Sequence, residues 1–239
     1  MRYIQKQIPE PPTLTYFLKW VTENADRLSK LSGADQWRDF GRKEMLCHKH
    51  SLQNTLIDEQ GHICAYCNRR IHIGGDTDDE QFRIEHLQPK TGKPDPETIT
   101  FNYYNLVACC FGDEREGNRE YPPRSIHCDV SKGDTPIPAG VSPTNVDCEK
   151  TLIYTAEGEI ISTDSIVLKA IKETLNLNCE KLTRLRKKVL SPFIDLDPDL
   201  DSGEVDKQIE LYTKPSQNKL EPFCGVIIGY LRQNYHTTL

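Results

Sequence analysis

The stretch from Cys64 to Lys132 constrains this chain more than any other. It opens with a cysteine pair, Cys64-Ala65-Tyr66-Cys67, and continues with Arg83-Ile84-Glu85-His86-Leu87-Gln88-Pro89-Lys90. Asn105-Leu106-Val107-Ala108-Cys109-Cys110 follows, and His127-Cys128-Asp129 with Lys132 closes it. Two cysteines two residues apart bite one edge of a zinc tetrahedron, and the other edge must come from elsewhere in the chain. Cys110 and Cys128 supply it, with Cys109 a rival for the third position and His127 for the fourth. Four thiolates leave no coordination position open, so this zinc is structural. It staples a strand pair to the helix that follows, while the charged insertion from Phe111 to Ser125 loops out between its ligands.

Composition narrows the rest. The chain has 239 residues, enough to bury a core without disulfides. With 36% hydrophobic and 28% charged residues it reads as globular and soluble, which excludes a disordered chain. Nine cysteines, an odd number, fit thiols and metal ligands of a reducing compartment better than a disulfide framework. Cys47, Cys148, Cys179 and Cys224, with Cys109 if Cys110 is the ligand, are expected to be inert thiols. No apolar run approaches the length of a membrane span. The first ten residues carry no apolar signal-type region, so the cytosol is the expected location. The net charge is −6, and Gly61 to Thr135 alone holds nine Lys/Arg against thirteen Asp/Glu. A nucleic-acid binder normally carries a basic footprint. Placed arginines, bound metals or a partner would have to supply it.

In chain order, the spacing of Leu14, Phe17, Leu18, Val21, Ala25, Leu28 and Leu31 predicts one helix. Thr13 or Thr15 would cap it and Gly33 would end it. A second helical stretch runs from Asp35 to about Glu59, kinked or divided at Gly41, with His48 and His50 on its surface. Ile63 to Arg70 reads as a zinc knuckle. Ile71–Ile73 and Phe82–Ile84 read as two antiparallel strands around a polar Gly/Asp loop. Asn102 to Cys110 reads as helical, and Cys128 to Lys132 as a short helix. A hairpin is expected where Leu152–Tyr154 and Glu159–Ser162 flank Ala156-Glu157-Gly158. Asp164 to Leu190 forms one long helix or two, with the basic run Lys181–Lys188 read as a solvated face and a phosphate-contacting stripe as the alternative. Asp195 to Gly203 lacks the glycine and glutamate spacing of a calcium loop. The tail from Leu220 to Leu231 should be a helix packed back on the body. The expected fold class is α+β: an N-terminal helical region (1–60), a zinc-stapled core (61–135), and a hairpin with C-terminal helices (136–239).

The residues between the zinc ligands point to different chemistry. Phosphodiester hydrolysis needs an activated water, charge relief on the phosphorane and a stabilised leaving oxygen. His86 has the pKa class of a base near neutral pH. Glu85, its strand neighbour, points to the opposite face but at a strand end can still bind a metal. Asp129 is the natural second ligand, and two carboxylates suit Mg²⁺ or Mn²⁺. Asn105 can hold the loop that carries His86 by bonding its backbone, and Lys132 can reach a phosphate. Arg83 and Lys90, either side of the Glu85-His86 pair, are the candidate nucleic-acid contacts.

Cys-x-x-Cys, Glu-His-x-x-Pro, Asn-Leu-x-x-x-Cys and Cys-Asp-x-x-Lys in this order resemble the HNH endonucleases with their ββα-metal core. The resemblance implies His86 as general base, Glu85 and Asp129 as ligands of the catalytic metal, and Asn105 as the middle residue. Asp129 stands where that family usually has His or Asn. Ile84–Lys90, His127-Cys128-Asp129, Leu175–Asn178 and the Pro222–Leu231 ending are similar to a narrower group, the HNH (PtuB) component of Septu-type anti-phage systems, and to retron-associated relatives. That likeness implies an ABC/SMC-like ATPase partner of the PtuA type. In the retron form it adds a reverse transcriptase with its DNA–RNA hybrid. A partner that presents the nucleic acid would account for the acidic balance. The substrate is DNA by preference, with RNA, transfer RNA included, as the alternative. The competing reading is a zinc-stapled, catalytically inactive scaffold that binds nucleic acid or the ATPase, with His86 a core histidine and Glu85 a surface acid.

Overall fold

The structure is a computed structural model that describes residues 1–42, 46–73, 82–90, 99–112, 125–196 and 201–235. The polar loop after Ile73, most of the loop after Lys90, most of the charged insertion, and Asp197 and Asp199 lie outside the described residues. Among the described residues, no helix is long and apolar enough to cross a membrane.

The N-terminal region is helical but more broken than its periodicity predicts. A 3₁₀ turn, Pro12–Leu14, leads into α1 (Thr15–Glu23) and the single turn α2 (Ala25–Leu28). Asn24 separates them, its side-chain Nδ2 donating to Trp20 O at 2.8 Å in competition with the helix backbone. Neither threonine caps α1; Thr15 Oγ1 donates back to Pro12 O instead. Gly33 opens α3 (Gly33–Phe40) rather than ending a helix, with Ser32 as N-cap accepting from Asp35 N. A side chain at Gly33 would meet Lys90 O at 2.5 Å, so the glycine lets α3 settle on the loop after the first strand. Gly41 ends α3, and α4 (Leu46–Glu59) follows as a separate helix. Phe17, Trp20, Trp37, Phe40 and Phe101 knit this layer together, with ring centroids 5.0 to 6.2 Å apart. His50 is exposed as expected, whereas His48 is half-buried with its ring 6.4 Å from that of Trp20.

The central ribbon departs from expectation in one strand. β1 (Arg83–His86) pairs antiparallel with β2 (Leu106–Cys109), in the register Arg83↔Cys109, Glu85↔Val107 and His86↔Leu106. Ile71–Ile73 is not a strand, and the segment after Asn105 is extended rather than helical. All four β2 residues are fully buried, and a short continuous apolar run looks the same in sequence whether it is a buried strand or a buried helix turn. Gln60 settles the choice locally: its amide donates to Ala108 O and accepts from Ala108 N, extending the ladder with a side chain. The short helix α5 (Cys128–Lys132) lies where it was expected.

The C-terminal region closes over this unit. β3 (Ile153–Tyr154) and β4 (Ile160–Ile161) form the expected hairpin. α6 (Ser165–Lys169) runs into a π-helical turn, Ala170–Thr174, and a new helix, α7 (Glu180–Ile194), begins after a break. The basic run on α7 is not uniformly solvated. Arg186 is 1% exposed and donates to Gly158 O at 2.5 Å and to Asn178 Oδ1 at 3.1 Å, locking the hairpin turn onto the helix. α8 (Ser202–Thr213) is capped by Asp201, and α9 (Cys224–Asn234) packs on α8, α7 and β3, as the tail's spacing predicted. One apolar cluster runs from Leu14 through Tyr66, Leu106 and Leu175 to Leu231.

Candidate metal centre and acid–histidine site

The thiols converge because three turns force them inward. Gly61 (φ +58°) ends the approach to the knuckle, and Asn68 (φ +59°) turns it, with Cys64 N donating to Arg69 O and Asn68 N to Cys64 O. Cys109 is the last residue of β2 and Cys110 follows it. Cys128 opens α5 in a left-handed conformation (φ +60°), and its N–H donates to Leu175 O at 2.8 Å. Gly112 lies against His127, where a Cβ would come within 2.1 Å of His127 O. The C-terminal region thus holds the last ligand pair in place.

Cys64 Sγ lies 3.6 Å from Cys109 Sγ and 3.9 Å from Cys128 Sγ, and Cys67 Sγ lies 3.7 Å from Cys110 Sγ. His127 Nδ1 is 3.0 Å from Cys128 Sγ. Two sets of donors each lie within 4.8 Å of one another: Cys64, Cys109, Cys110 and Cys128, and Cys67, Cys110, His127 and Cys128. The four expected ligands are all present, but they divide between two overlapping sets, and both rivals are included. Cys109 is therefore not a spare core thiol. All six residues are buried. Burial raises the Cys128 and Cys67 thiols, while for Cys64 hydrogen bonds from Cys109, Cys110, Cys128 and Cys67 outweigh burial and hold it well below the ordinary range. Soft donors at tetrahedral spacing, shielded from water, fit zinc.

The second constellation lies beside the first. Glu85 is 4% exposed, so it is not a surface acid. Its Oε1 accepts from Lys132 Nζ at 2.8 Å and from the Tyr66 hydroxyl at 3.0 Å. Burial first, then a hydrogen bond with Asp129 and the charge of Asp129, push the Glu85 carboxyl up to about 8. The Asp129 carboxylate thus lies close enough to act on Glu85. Arg83 Nη1 stands 3.7 Å from Asp129 Oδ2. Lys132 is 2% exposed and also donates to His86 O and Gly133 O, so its three protons point at protein acceptors rather than outward at a phosphate. Lys90 is half-buried on the loop after β1.

His86 is 2% exposed. Its Nε2 lies 3.0 Å from Thr100 O, its ring meets the Trp37 ring edge-on at 4.6 Å, and its Nδ1 has no hydrogen-bond partner. Burial, with the Lys90 charge second, lowers its pKa to about 3, so the ring is neutral at pH 7. Asn105 accepts from Gln88 N at 2.7 Å and donates to Gln88 O at 3.0 Å and Ile99 O at 3.2 Å. It therefore grips both ends of the loop that leaves β1. Sequence reasoning missed Tyr66 as the partner of Glu85 and Trp37 as the cover of His86. Tyr66 carried a signal, since it lies inside the Cys-x-x-Cys knuckle; Trp37 carried none.

Comparison with known proteins gives the same direction. No family model matches the chain. It is 27% identical over 188 residues to "Retron Ec83 putative HNH endonuclease" of Escherichia coli, covering 66% of this chain and 71% of the relative. It is 22% identical over 123 residues to "Retron Vc95 putative HNH endonuclease" of Vibrio cholerae serotype O1 biovar El Tor, spanning about half of each chain (52% and 52%). These distant relatives, both named putative HNH endonucleases of retrons, support an HNH assignment.

Proposed function

We propose that the chain is a metal-dependent HNH endonuclease that hydrolyses nucleic-acid phosphodiester bonds as the effector of a cytoplasmic anti-phage system. The observation that carries this reading is the meeting of β1 and α5, where Lys132 Nζ lies 2.8 Å from Glu85 Oε1 and Arg83 Nη1 3.7 Å from Asp129 Oδ2, which sets both acids beside the strand that bears His86. Two carboxylates side by side repel unless they share a proton or a cation. Mg²⁺ or Mn²⁺ held by Glu85 and Asp129 would relieve charge on the phosphorane. His86 would take the proton from water; buried as it is, with a pKa of about 3, it is a weak base, so this role needs the ring opened to solvent. Lys132 donates to Glu85, and Asn105 fixes the end of β1 so that His86 keeps its place. Arg83, on the Asp129 side, and Lys90 meet the nucleic acid.

A base must come within about 3 Å of the proton it takes. Among the described residues Trp37 on α3 covers the His86 ring, so a shift of α3 would admit water to it. That requirement fits a nuclease switched on within an assembly, as does the net charge of −6. The partner of this reading is an ABC/SMC-like ATPase that presents the substrate, with a reverse transcriptase and its DNA–RNA hybrid in a retron context. DNA is the favoured polymer. One observation favours the inactive scaffold: Glu85 is satisfied by Lys132 and Tyr66, and His86 is sealed.

The deciding experiment incubates plasmid DNA and total RNA with the chain in Mg²⁺ or Mn²⁺, with and without the neighbouring ATPase, beside His86→Ala and Cys64→Ser. Cleavage that needs His86 in a still-folded protein is the expected result, and the polymer cut identifies the substrate. A zinc-loaded chain that cuts neither polymer with the ATPase present would instead be the scaffold.

A further inference from the structure

The cluster holds more donors than one zinc ion can use. A single tetrahedral site takes four, and five thiols and an imidazole converge here. Their arrangement is not that of four ligands with two bystanders. Each of the two compact sets contains four donors, and the sets share the Cys110 and Cys128 sulfurs. Two tetrahedra that share one edge have this connectivity.

The spacings agree. A Zn–S bond of about 2.3 Å gives a tetrahedron edge of about 3.8 Å between sulfurs. In the first set the Cys64 sulfur lies 3.6 and 3.9 Å from those of Cys109 and Cys128. In the second, Cys67 and Cys110 are 3.7 Å apart. The His127 Nδ1 to Cys128 Sγ distance, 3.0 Å, is a hydrogen bond that would open by about half an ångström to become a tetrahedron edge. The backbone also singles out Cys128. A left-handed conformation is costly for a residue with a Cβ and persists where its surroundings demand it. At φ +60° Cys128 presents its sulfur to both sets.

Charge favours the larger cluster. One zinc with four thiolates leaves −2 in a buried site. Two zincs with five thiolates and one neutral imidazole leave −1, with no thiol left over; the other ring nitrogen, His127 Nε2, lies 3.5 Å from Arg69 Nη1. Buried net charge is expensive, so the second metal lowers the cost of holding the first.

We infer that this centre binds two zinc ions bridged by the sulfurs of Cys110 and Cys128, with Cys64 and Cys109 completing one tetrahedron and Cys67 and His127 the other. The inference is independent of the nuclease reading. It explains why neither rival ligand is redundant, and it makes Cys109 and His127 ligands rather than packing.

The test counts metal on the full chain, purified in reducing buffer. Zinc content by mass spectrometry should be two per chain, falling to about one in Cys109→Ser and in His127→Ala. Cobalt titration of the metal-free wild-type chain gives a second reading that does not depend on the variants folding. Sulfur-to-cobalt charge-transfer absorption reports only thiolate-bound metal, so an ion on Glu85 and Asp129 does not contribute. It should rise to two equivalents, and X-ray absorption of the zinc form should show a short metal–metal vector. Saturation at one equivalent with no such vector would overturn the inference. So would a zinc content that Cys109→Ser leaves unchanged.

Discussion

The two constellations share one ribbon and are satisfied in opposite ways. Cys109 ends β2 opposite Arg83, and Glu85 stands two residues further along β1 opposite Val107. The thiols face mainly one another: the hydrogen bonds of Cys64, Cys67, Cys109 and Cys110 run within the cluster. Glu85 and Lys132 pair with each other, and they and Asn105 have further partners on the backbone or on Tyr66, Gln88 and Gly133. The first is assembled to be filled by metal and the second is assembled already. The fold of the centre should therefore depend on zinc, while on the acid–histidine side a change at His86 should lose function before fold.

The largest effect should come from Cys128→Ser, because that sulfur belongs to both donor sets. Structural zinc contributes about 10–16 kcal/mol in small zinc domains, so losing its anchor should abolish cooperative unfolding of the central unit. Near-ultraviolet circular dichroism during a thermal melt measures this, and a strong chelator should mimic it. A Cys128→Ser protein that melts like wild type would erase the contrast between the two sites. His86→Ala comes next. It should keep the zinc content of wild type and lower cleavage by about 10² to 10⁴-fold, the range for a lost general base. A loss of zinc in that variant would show that the two sites are not separable.

Lys132→Met sharpens the comparison within the acid site. Both side chains of the Lys132–Glu85 pair are nearly inaccessible, at 1% and 5%. Removing one partner of a buried pair costs about 3–5 kcal/mol, while replacing both is often close to neutral. Urea unfolding above pH 8, where Glu85 is ionised, should therefore show Lys132→Met strongly destabilised and the double variant with Glu85→Gln largely restored. Additive losses would mean that the pair is not a unit. Asn105→Ala should be milder. It leaves the Gln88 amide and two carbonyls without their partner, at about 1–3 kcal/mol by the same measurement.

What was readable in the sequence followed from how local the signal was. The knuckle, α5, the β3–β4 hairpin and the α9 tail each carry their own turn or spacing signal, and each lies where it was expected. β2 failed because Leu106-Val107-Ala108-Cys109 is apolar without alternation, and the Gln60 amide that fixes it as a strand comes from 48 residues away. Gly33 failed because its role is a close approach to Lys90, a contact with no local trace. Arg186 hides in a basic run whose neighbours Lys187 and Lys188 are exposed, and only the hairpin turn packed against it distinguishes them. The metal and acid residues were recognisable by type and order. The division of the thiols into two sets depends on where β2 ends and how Cys128 turns, which are tertiary facts.

The smallest effect, and the one that bears on how the acid–histidine side is opened, belongs to Trp37→Leu. Trp37 is half-buried, so a smaller apolar residue there should cost less than the roughly 3–5 kcal/mol of truncating a fully buried tryptophan to alanine. Its consequence is access. In the wild type His86 is sealed at 2% exposure while His50 is open to solvent, so diethyl pyrocarbonate should modify His50 readily and His86 hardly at all. Peptide mapping of the Trp37→Leu protein should show His86 modified several-fold faster with His50 unchanged. A rise at His86 without any cleavage would mean that the cover is real but that it guards no nuclease. Equal modification of the two histidines in the wild type would mean that α3 does not keep the base closed. The acid–histidine side would then be as ready as the zinc centre is filled, and control of cleavage would have to lie in delivery of the substrate.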